Sequence, residues 1–184
     1  IPLDRDRYKS AYGFPIPDYY KKIGIDLEKE SFEALIQKFT TYYEDKVLEC
    51  SLFEAAIPIL QRFQTKGFNQ YILTAARTTD VLHLLNHFAI PHFFQVVVGV
   101  DNYKSAGKLK KGIQLMEANQ LPKAQTVLIG DTISDYKVAT SMGIDCILIA
   151  AGHQSKKRLV DYVPTNTVVI DVLNQLPQIL ISTK

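Results

Sequence analysis

An excess of charge of one sign is what this sequence most lacks: 184 residues carry 21 lysines and arginines against 19 aspartates and glutamates, a formal balance of +2. A protein that holds nucleic acid through its phosphates shows a basic cluster. The densest runs, Lys104, Lys108, Lys110 and Lys111, then Lys156, Lys157 and Arg158, are short and read as solvated helix faces. No nucleic-acid partner is expected. Cysteine is nearly as scarce. Cys50 and Cys146 match no metal-ligand spacing and read as reduced thiols of a cytoplasmic protein. No run of about 18 apolar residues exists, so no membrane span is expected. No signal peptide opens the chain, and neither an internal repeat nor a low-complexity tract is visible. Ile1 rather than methionine stands first, and the expectation is a chain trimmed, processed or incompletely recorded at its start.

What is present is the balance of a folded protein with a real core, 47% hydrophobic and 22% charged residues. The length fits one domain, or a core carrying a small accessory one. Residues 1–20 are rich in proline and aromatics. From Leu27 to about Leu48 the apolar residues Phe32, Leu35, Ile36, Phe39, Tyr42 and Tyr43 recur at helical spacing. A second helix is predicted over Leu52 to Lys66, closed by Gly67. Residues 1–50 therefore read as all-helical. Beyond Gly67 the pattern changes to strands alternating with helices. Strands are predicted over Gln70–Leu73 (stopping at Thr74), Phe94–Val100, Thr126–Ile129, Asp145–Ala150 and Thr167–Ile170. Thr78, Thr79 and Asp80 offer cap chemistry for one intervening helix. Lys108–Asn119 and Ser134–Met142, the latter ended by Gly143, form two more. Phe94–Val100 reads as a strand buried on both faces. Such alternation implies an α/β fold with an open parallel sheet covered by helices.

Ligands of such sheets bind just beyond the carboxyl ends of the strands, so the residues there carry the chemistry. Thr74, beside Ala75 and Ala76, follows one strand; Asp101 and Asn102 follow the next, and Lys108 opens the helix after them. Gly130-Asp131-Thr132-Ile133-Ser134-Asp135 follows another, and Gly152-His153-Gln154 the last of the group. The Gly130–Asp135 stretch is the sharpest signal. A glycine directly after a buried strand lets the chain turn closely, and two carboxylates four apart can face one spot above the sheet. That is an oxygen-ligand arrangement suited to a hard cation. The bland alternative makes Asp131 a turn residue and Asp135 a helix cap. With a hydroxyl and an ammonium at two other strand ends, the functional reading is preferred. His83 and His87, four apart on one helix, lack a third ligand and read as solvated.

Thr74, Lys108 and the Gly130–Asp135 stretch resemble the second, third and fourth motifs of the haloacid dehalogenase superfamily, in its phosphoglycolate-phosphatase-like branch with a helical cap. Tyr12-Gly13-Phe14-Pro15 leading to Asp18-Tyr19-Tyr20 resembles that branch's cap. Gly99-Val100-Asp101-Asn102 with Ser105-Ala106-Gly107-Lys108 resembles its third-motif loop, and Ala151-Gly152-His153-Gln154-Ser155 its loop after the fourth motif. The resemblance implies a Rossmann-like parallel sheet over residues 51–184, with residues 1–50 as an N-terminal helical cap. It implies a Mg2+-dependent phosphate monoester hydrolase acting through an aspartyl-phosphate on a small phosphorylated metabolite, either phosphoglycolate-like or a sugar phosphate. Asp131 and Asp135 would serve the metal. Thr74 and Lys108 would act beside Asp131 in catalysis, and Thr74, Ala75, Lys108 and His153 would meet substrate.

The family's first motif, an apolar strand ending in Asp-x-Asp-Gly-Thr, is not in the sequence. Asp4-Arg5-Asp6 has its spacing, but Ile1-Pro2-Leu3 is a poor central strand and Arg7-Tyr8 stands where Gly-Thr belongs. The expected consequence is a sheet with a gap where the nucleophile strand would lie, its neighbours left with unpaired edges, and a chain inactive by itself. A catalytically dead module binding a phosphorylated ligand or a protein is the alternative. A receiver domain of the two-component type ranks last, since it leaves the helical start and the Thr74–Lys108–Asp131 order unexplained.

Overall fold

The computed structural model describes residues 3–100 and 107–181. Asp101, Asn102, Lys104, Ser105 and Ala106 of the predicted loop lie outside them, as do Ile1 and Pro2. Three helices open the chain: α1 (Arg5–Ala11), α2 (Ile16–Lys22) and α3 (Phe32–Lys46). Helix α1 begins where the Asp4 carboxylate accepts the Arg7 N–H at 2.8 Å, and α3 where the Ser31 hydroxyl accepts the Ala34 N–H at 3.2 Å. Each side chain satisfies a donor that the helix start leaves without a partner. The strand-free reading of this region holds. Helix α3 buries none of its residues, and Tyr42 is 68% exposed.

The remainder alternates as predicted: α4 (Ala56–Thr65), β1 (Tyr71–Arg77), α5 (Thr78–His87), β2 (Val96–Val100), α6 (Lys108–Ala118), β3 (Val127–Gly130), α7 (Ile133–Met142), β4 (Asp145–Ile149), α8 (Lys156–Tyr162), β5 (Val168–Ile170) and α9 (Leu176–Leu180). Helix α7 ends at Gly143 with φ of 71°, a left-handed position that glycine reaches without steric cost. Every strand pair is parallel. The pairs fall into two sheets, β1–β2 and β3–β4–β5. Leu73 of β1 and Leu128 of β3 nevertheless pack on one apolar cluster, formed by Met116 of α6 and Val138 and Met142 of α7. Among the described residues no strand pairs β1 with β3, so the sheet is interrupted there, as expected from the sequence.

Burial follows the interruption. Strand β4 is paired on both sides, and its Ile147, Leu148 and Ile149 are 3%, 0% and 7% exposed. Every residue of β1 is only half-buried, and Ile129 of β3 is 40% exposed.

Three sequence expectations need correction. The strand expected to stop at Thr74 continues through Ala75 and Ala76 to Arg77, with its register shifted between Leu73 and Arg77. Gly99 accounts for this: a Cβ there would meet the Ala76 carbonyl and, at 2.7 Å, the Thr78 nitrogen, so only glycine lets β2 approach so closely. Second, Thr78 does not cap α5. The residue at the cap position is Arg77, without a side-chain cap bond, while the Thr78 hydroxyl accepts the Gly99 N–H at 3.0 Å. Third, Val96–Val98 of β2 are half-buried rather than buried on both faces, because β2 has a single strand partner among the described residues. No helix among the described residues is long and apolar enough to cross a membrane.

Candidate active site

Strand β3 ends at Gly130, and the chain turns at once into α7. A Cβ at Gly130 would overlap the Asp135 side chain, so the glycine lets that carboxylate fold back under the turn. Thr132 caps α7: its hydroxyl accepts the Asp135 N–H, while the Asp135 carboxylate reaches back to the Thr132 N–H at 3.0 Å, a reciprocal capping box. The same oxygen, Asp135 Oδ2, accepts the Asp131 N–H at 3.1 Å and the Thr132 hydroxyl at 2.7 Å. Its other oxygen, Oδ1, pairs with Lys108 Nζ at 2.5 Å. Asp135 is 5% exposed. Burial alone would push its carboxyl up; the Lys108 charge and hydrogen bond, with those from Thr132 and the Asp131 backbone, outweigh it and hold the group below the ordinary carboxylate value.

Asp135 therefore both caps the helix and fixes the loop that carries Asp131. The Asp131 carboxylate is half-buried and meets the chain after β4. Its Oδ2 accepts the His153 N–H at 2.6 Å, and a Cβ at Gly152 would collide with it, so that glycine too is required by close approach. Asp131 Oδ1 takes part in no hydrogen bond among the described residues, which leaves one carboxylate oxygen for a hard cation. No group of three His, Cys, Asp or Glu side chains converges among the described residues. The donor set fits magnesium as it is commonly held, by one or two carboxylates with water and substrate oxygens completing the shell.

Lys108 opens α6 after β2, and its contact with Asp135 brings the carboxyl end of β2 to the same rim as that of β3. Thr74 lies within β1, short of its carboxyl end at Arg77, the residue paired with Val100 at the end of β2, and not just past a strand as expected. Its hydroxyl accepts the Ala76 N–H at 3.1 Å rather than reaching the Asp131 loop, and Ala75 is half-buried beside it in the irregular part of the strand. His83 and His87 lie on α5, with no metal-binding group among the described residues.

The contacts that sequence reasoning did not give involve Tyr8 and Lys9 of α1, Tyr12 at its C-cap, and Gln154. The Tyr8 hydroxyl and His153 Nδ1 are hydrogen-bonded at 2.5 Å, and Tyr12 stacks on the His153 ring with centroids 4.6 Å apart. Burial first, then the Asp131 charge, pushes the Tyr12 hydroxyl up to about 12. Burial, followed by the neighbouring tyrosines and Asp131, raises Tyr8 as well, so both phenols stay protonated. Lys9 Nζ donates to the Ala150 carbonyl at 2.6 Å. Gln154 is 2% exposed: its Oε1 accepts the Ile133 N–H at 2.8 Å and its Nε2 donates to the Tyr12 carbonyl at 2.9 Å. A polar residue just after a strand-end glycine was the available signal for Gln154. Tyr12 stood in the stretch that resembles the family's cap, while Tyr8 was marked only by the aromatic richness of residues 1–20.

Comparison with known proteins agrees with this architecture. A family model described as haloacid dehalogenase-like hydrolase matches residues 1–149. A phosphoglycolate phosphatase of Caulobacter vibrioides is 26% identical over 134 residues, which is 71% of this chain and 56% of that protein. The tyrosine-protein kinase PtkA of Mycobacterium tuberculosis is 25% identical over 143 residues, 77% of this chain and 48% of that one. The solved structure of PtkA superposes with a TM-score of 0.76 at 23% identity, covering 98% of this chain and 82% of its own. A haloacid dehalogenase-like family hydrolase from Streptococcus pneumoniae gives a TM-score of 0.74 at 24% identity, covering 86% of this chain and 74% of that one. These structural likenesses speak to the fold. The chain spans about half the length of the curated relatives it matches.

Proposed function

The chain belongs to the haloacid dehalogenase-like hydrolase family, and on that premise we propose that it forms the phosphate-handling part of a magnesium-dependent phosphate monoester hydrolase. The observation that carries this reading is the Lys108–Asp135–Asp131 constellation, a buried carboxylate paired with a part-buried ammonium and bracing a more open carboxylate at a strand end. Relatives named phosphoglycolate phosphatase support it. The substrate is a small phosphorylated metabolite.

In this reading a carboxylate from outside residues 1–184, on a strand that fills the gap between β1 and β3, attacks phosphorus. The alcohol leaves as its oxygen gains a proton, and water then hydrolyses the aspartyl-phosphate. Magnesium held by Asp131 would supply charge neutralisation between carboxylate and phosphate, which otherwise repel. Asp135 keeps Asp131 in place through the loop backbone. The Lys108 ammonium places a positive charge beside the phosphoryl oxygens, and the Thr74 hydroxyl with the Ala75 backbone binds one of them. His153 borders the leaving group, and residues 1–50 act as the cap that keeps water out.

The test is an assay of the protein made from its complete coding sequence, against phosphate monoesters with and without magnesium. Asp131→Asn should lower turnover by about two orders of magnitude, the scale of losing one preorganised electrostatic partner, and His83→Ala should leave it nearly unchanged. Equal losses in the two variants would remove the metal site from Asp131. Binding of magnesium and phosphate without turnover would favour the non-catalytic module instead.

A further inference from the structure

We propose that His153 and Gln154 are positioning residues that couple the seating of α1 to the orientation of the Asp131 carboxylate, a regulation of the site that rests on the function proposed above. Two consecutive residues each bridge the same two parts of the molecule. His153 gives its backbone N–H to Asp131 and bonds the Tyr8 hydroxyl through its ring. Gln154 takes the N–H of Ile133, two residues beyond Asp131, and gives its amide to the carbonyl of Tyr12. Arg158 adds a second grip on α1, donating to the Tyr12 carbonyl and, at 3.3 Å, to that of Ser10.

The bridge has little slack. The chain at Gly152 touches the Asp131 carboxylate too closely to admit a Cβ, so the start of segment 152–158 is held against the Asp131 loop, while Gln154 and Arg158 tie it to the Tyr12 carbonyl. The Gln154 side chain is almost wholly buried, so parting from Tyr12 would leave its amide N–H without a partner, which costs more than the bond itself contributes.

Helix α1 is also suited to move as a unit. It buries only Ala11, and the links from Tyr8, Lys9, Ser10 and Tyr12 to the core include several directional polar bonds. Such links form or break together over a short displacement, whereas an apolar interface yields gradually. With α1 seated, the His153 ring is held by Tyr8 and Tyr12, and its N–H is held on Asp131 Oδ2. With α1 withdrawn, the ring loses both partners and Asp131 loses the donor that fixes its rotation. Cap position and cation affinity are then linked, each changing the other by the same factor.

The experiment follows the amide signals of His153 and Asp131 by NMR in the 15N-labelled protein from the complete coding sequence, first metal-free and then through a magnesium titration. Tyr8→Phe keeps the ring and removes the hydroxyl. Gln154→Glu keeps the acceptor for Ile133 and removes the donor to Tyr12. In each variant the metal-free His153 amide proton should move upfield, as its bond to Asp131 lengthens, and the magnesium midpoint should rise about fivefold, the size of one lost neutral hydrogen bond. A His153 amide unchanged in both variants would overturn the coupling. If the unmutated protein binds no magnesium, the proposed function fails at its metal, while the metal-free shift still decides the coupling. Should Gln154→Glu unfold, Tyr8→Phe decides alone, since it removes one partly exposed oxygen.

Discussion

Two regions of this chain present carboxylates at the start of a helix, and they differ in almost everything else. Asp4 and Asp6 stand at the beginning of α1, exposed, and Asp4 does no more than accept the Arg7 N–H. Asp131 and Asp135 stand at the beginning of α7, where Asp135 is 5% exposed and paired with a Lys108 side chain that is itself only 17% exposed. In sequence both pairs have a spacing that a metal or phosphate site could use. The difference lies in what surrounds them. Asp135 follows a strand that ends in glycine and faces a part-buried ammonium, whereas Asp4 caps a short helix and faces solvent. Carboxylate spacing is a weak guide, and the element that delivers the carboxylate is a strong one.

The comparison breaks first, if it breaks, at the buried pair. Asp135→Ala leaves the Lys108 ammonium without its partner and three loop donors without theirs. The expected loss is about 3–5 kcal/mol, the usual cost of breaking a buried ion pair from one side, read from urea unfolding. Replacing both partners with apolar residues of similar size, Lys108→Met with Asp135→Leu, should cost distinctly less, because no charge is then stranded. A single variant as mild as a surface substitution would place Asp135 with Asp4.

A second contrast lies within the sheet. Leu148→Ala in β4 should cost about 2–5 kcal/mol, as for other fully buried leucines. Ile129→Ala, on the strand beside the gap, should cost about 1 kcal/mol or less in the 184-residue chain, because 40% of that residue already faces solvent. If a strand from elsewhere fills the gap, the cost of Ile129→Ala in the complete protein should climb toward that of Leu148→Ala.

Much of this was legible in the sequence. The strand–helix alternation, the all-helical start and the Gly130–Asp135 turn were readable from periodicity and from glycine placement, which are local signals. The split of the sheet was readable only through what was absent, the Asp-x-Asp-Gly-Thr strand. What escaped was non-local. Thr74 was expected past the end of β1, yet β1 runs on to Arg77 because Gly99, some twenty residues away, lets β2 close on the Ala76 carbonyl. The Tyr8–His153 and Tyr12–Gln154 links join residues more than 140 positions apart, and no periodicity reports such contacts. Asp135 was read as either a cap or a site residue. The structure shows the cap and, in the same carboxylate, the support of Asp131.

Acid sharpens the comparison further. The folded Asp135 carboxyl lies below its ordinary value, held there by Lys108 and the loop donors against the effect of burial. A carboxylate with a depressed folded pKa contributes stability that is complete above its unfolded value, about 4, and is lost as pH falls through the folded value. Unfolding free energy should therefore decline below about pH 4, and the slope should flatten in Asp135→Asn, which cannot titrate. An unchanged slope in that variant would mean that other carboxylates dominate the acid limb.

The smallest expected effect belongs to the other pair. Asp4→Ala removes one exposed cap bond and should cost about 0.5–1 kcal/mol, the lower part of the range for such caps. Asp4→Asn keeps an oxygen for the Arg7 N–H and should cost less still. Neither should alter phosphatase turnover in the complete protein, because Asp4 ends no strand among the described residues and the Asp4–Arg5–Asp6 segment is the first turn of a helix. If Asp4→Asn abolished turnover while leaving stability intact, the nucleophile would have to be sought in α1 itself. The gap between β1 and β3 would then lose its role in the chemistry, and the contrast between the two carboxylate pairs would be reversed.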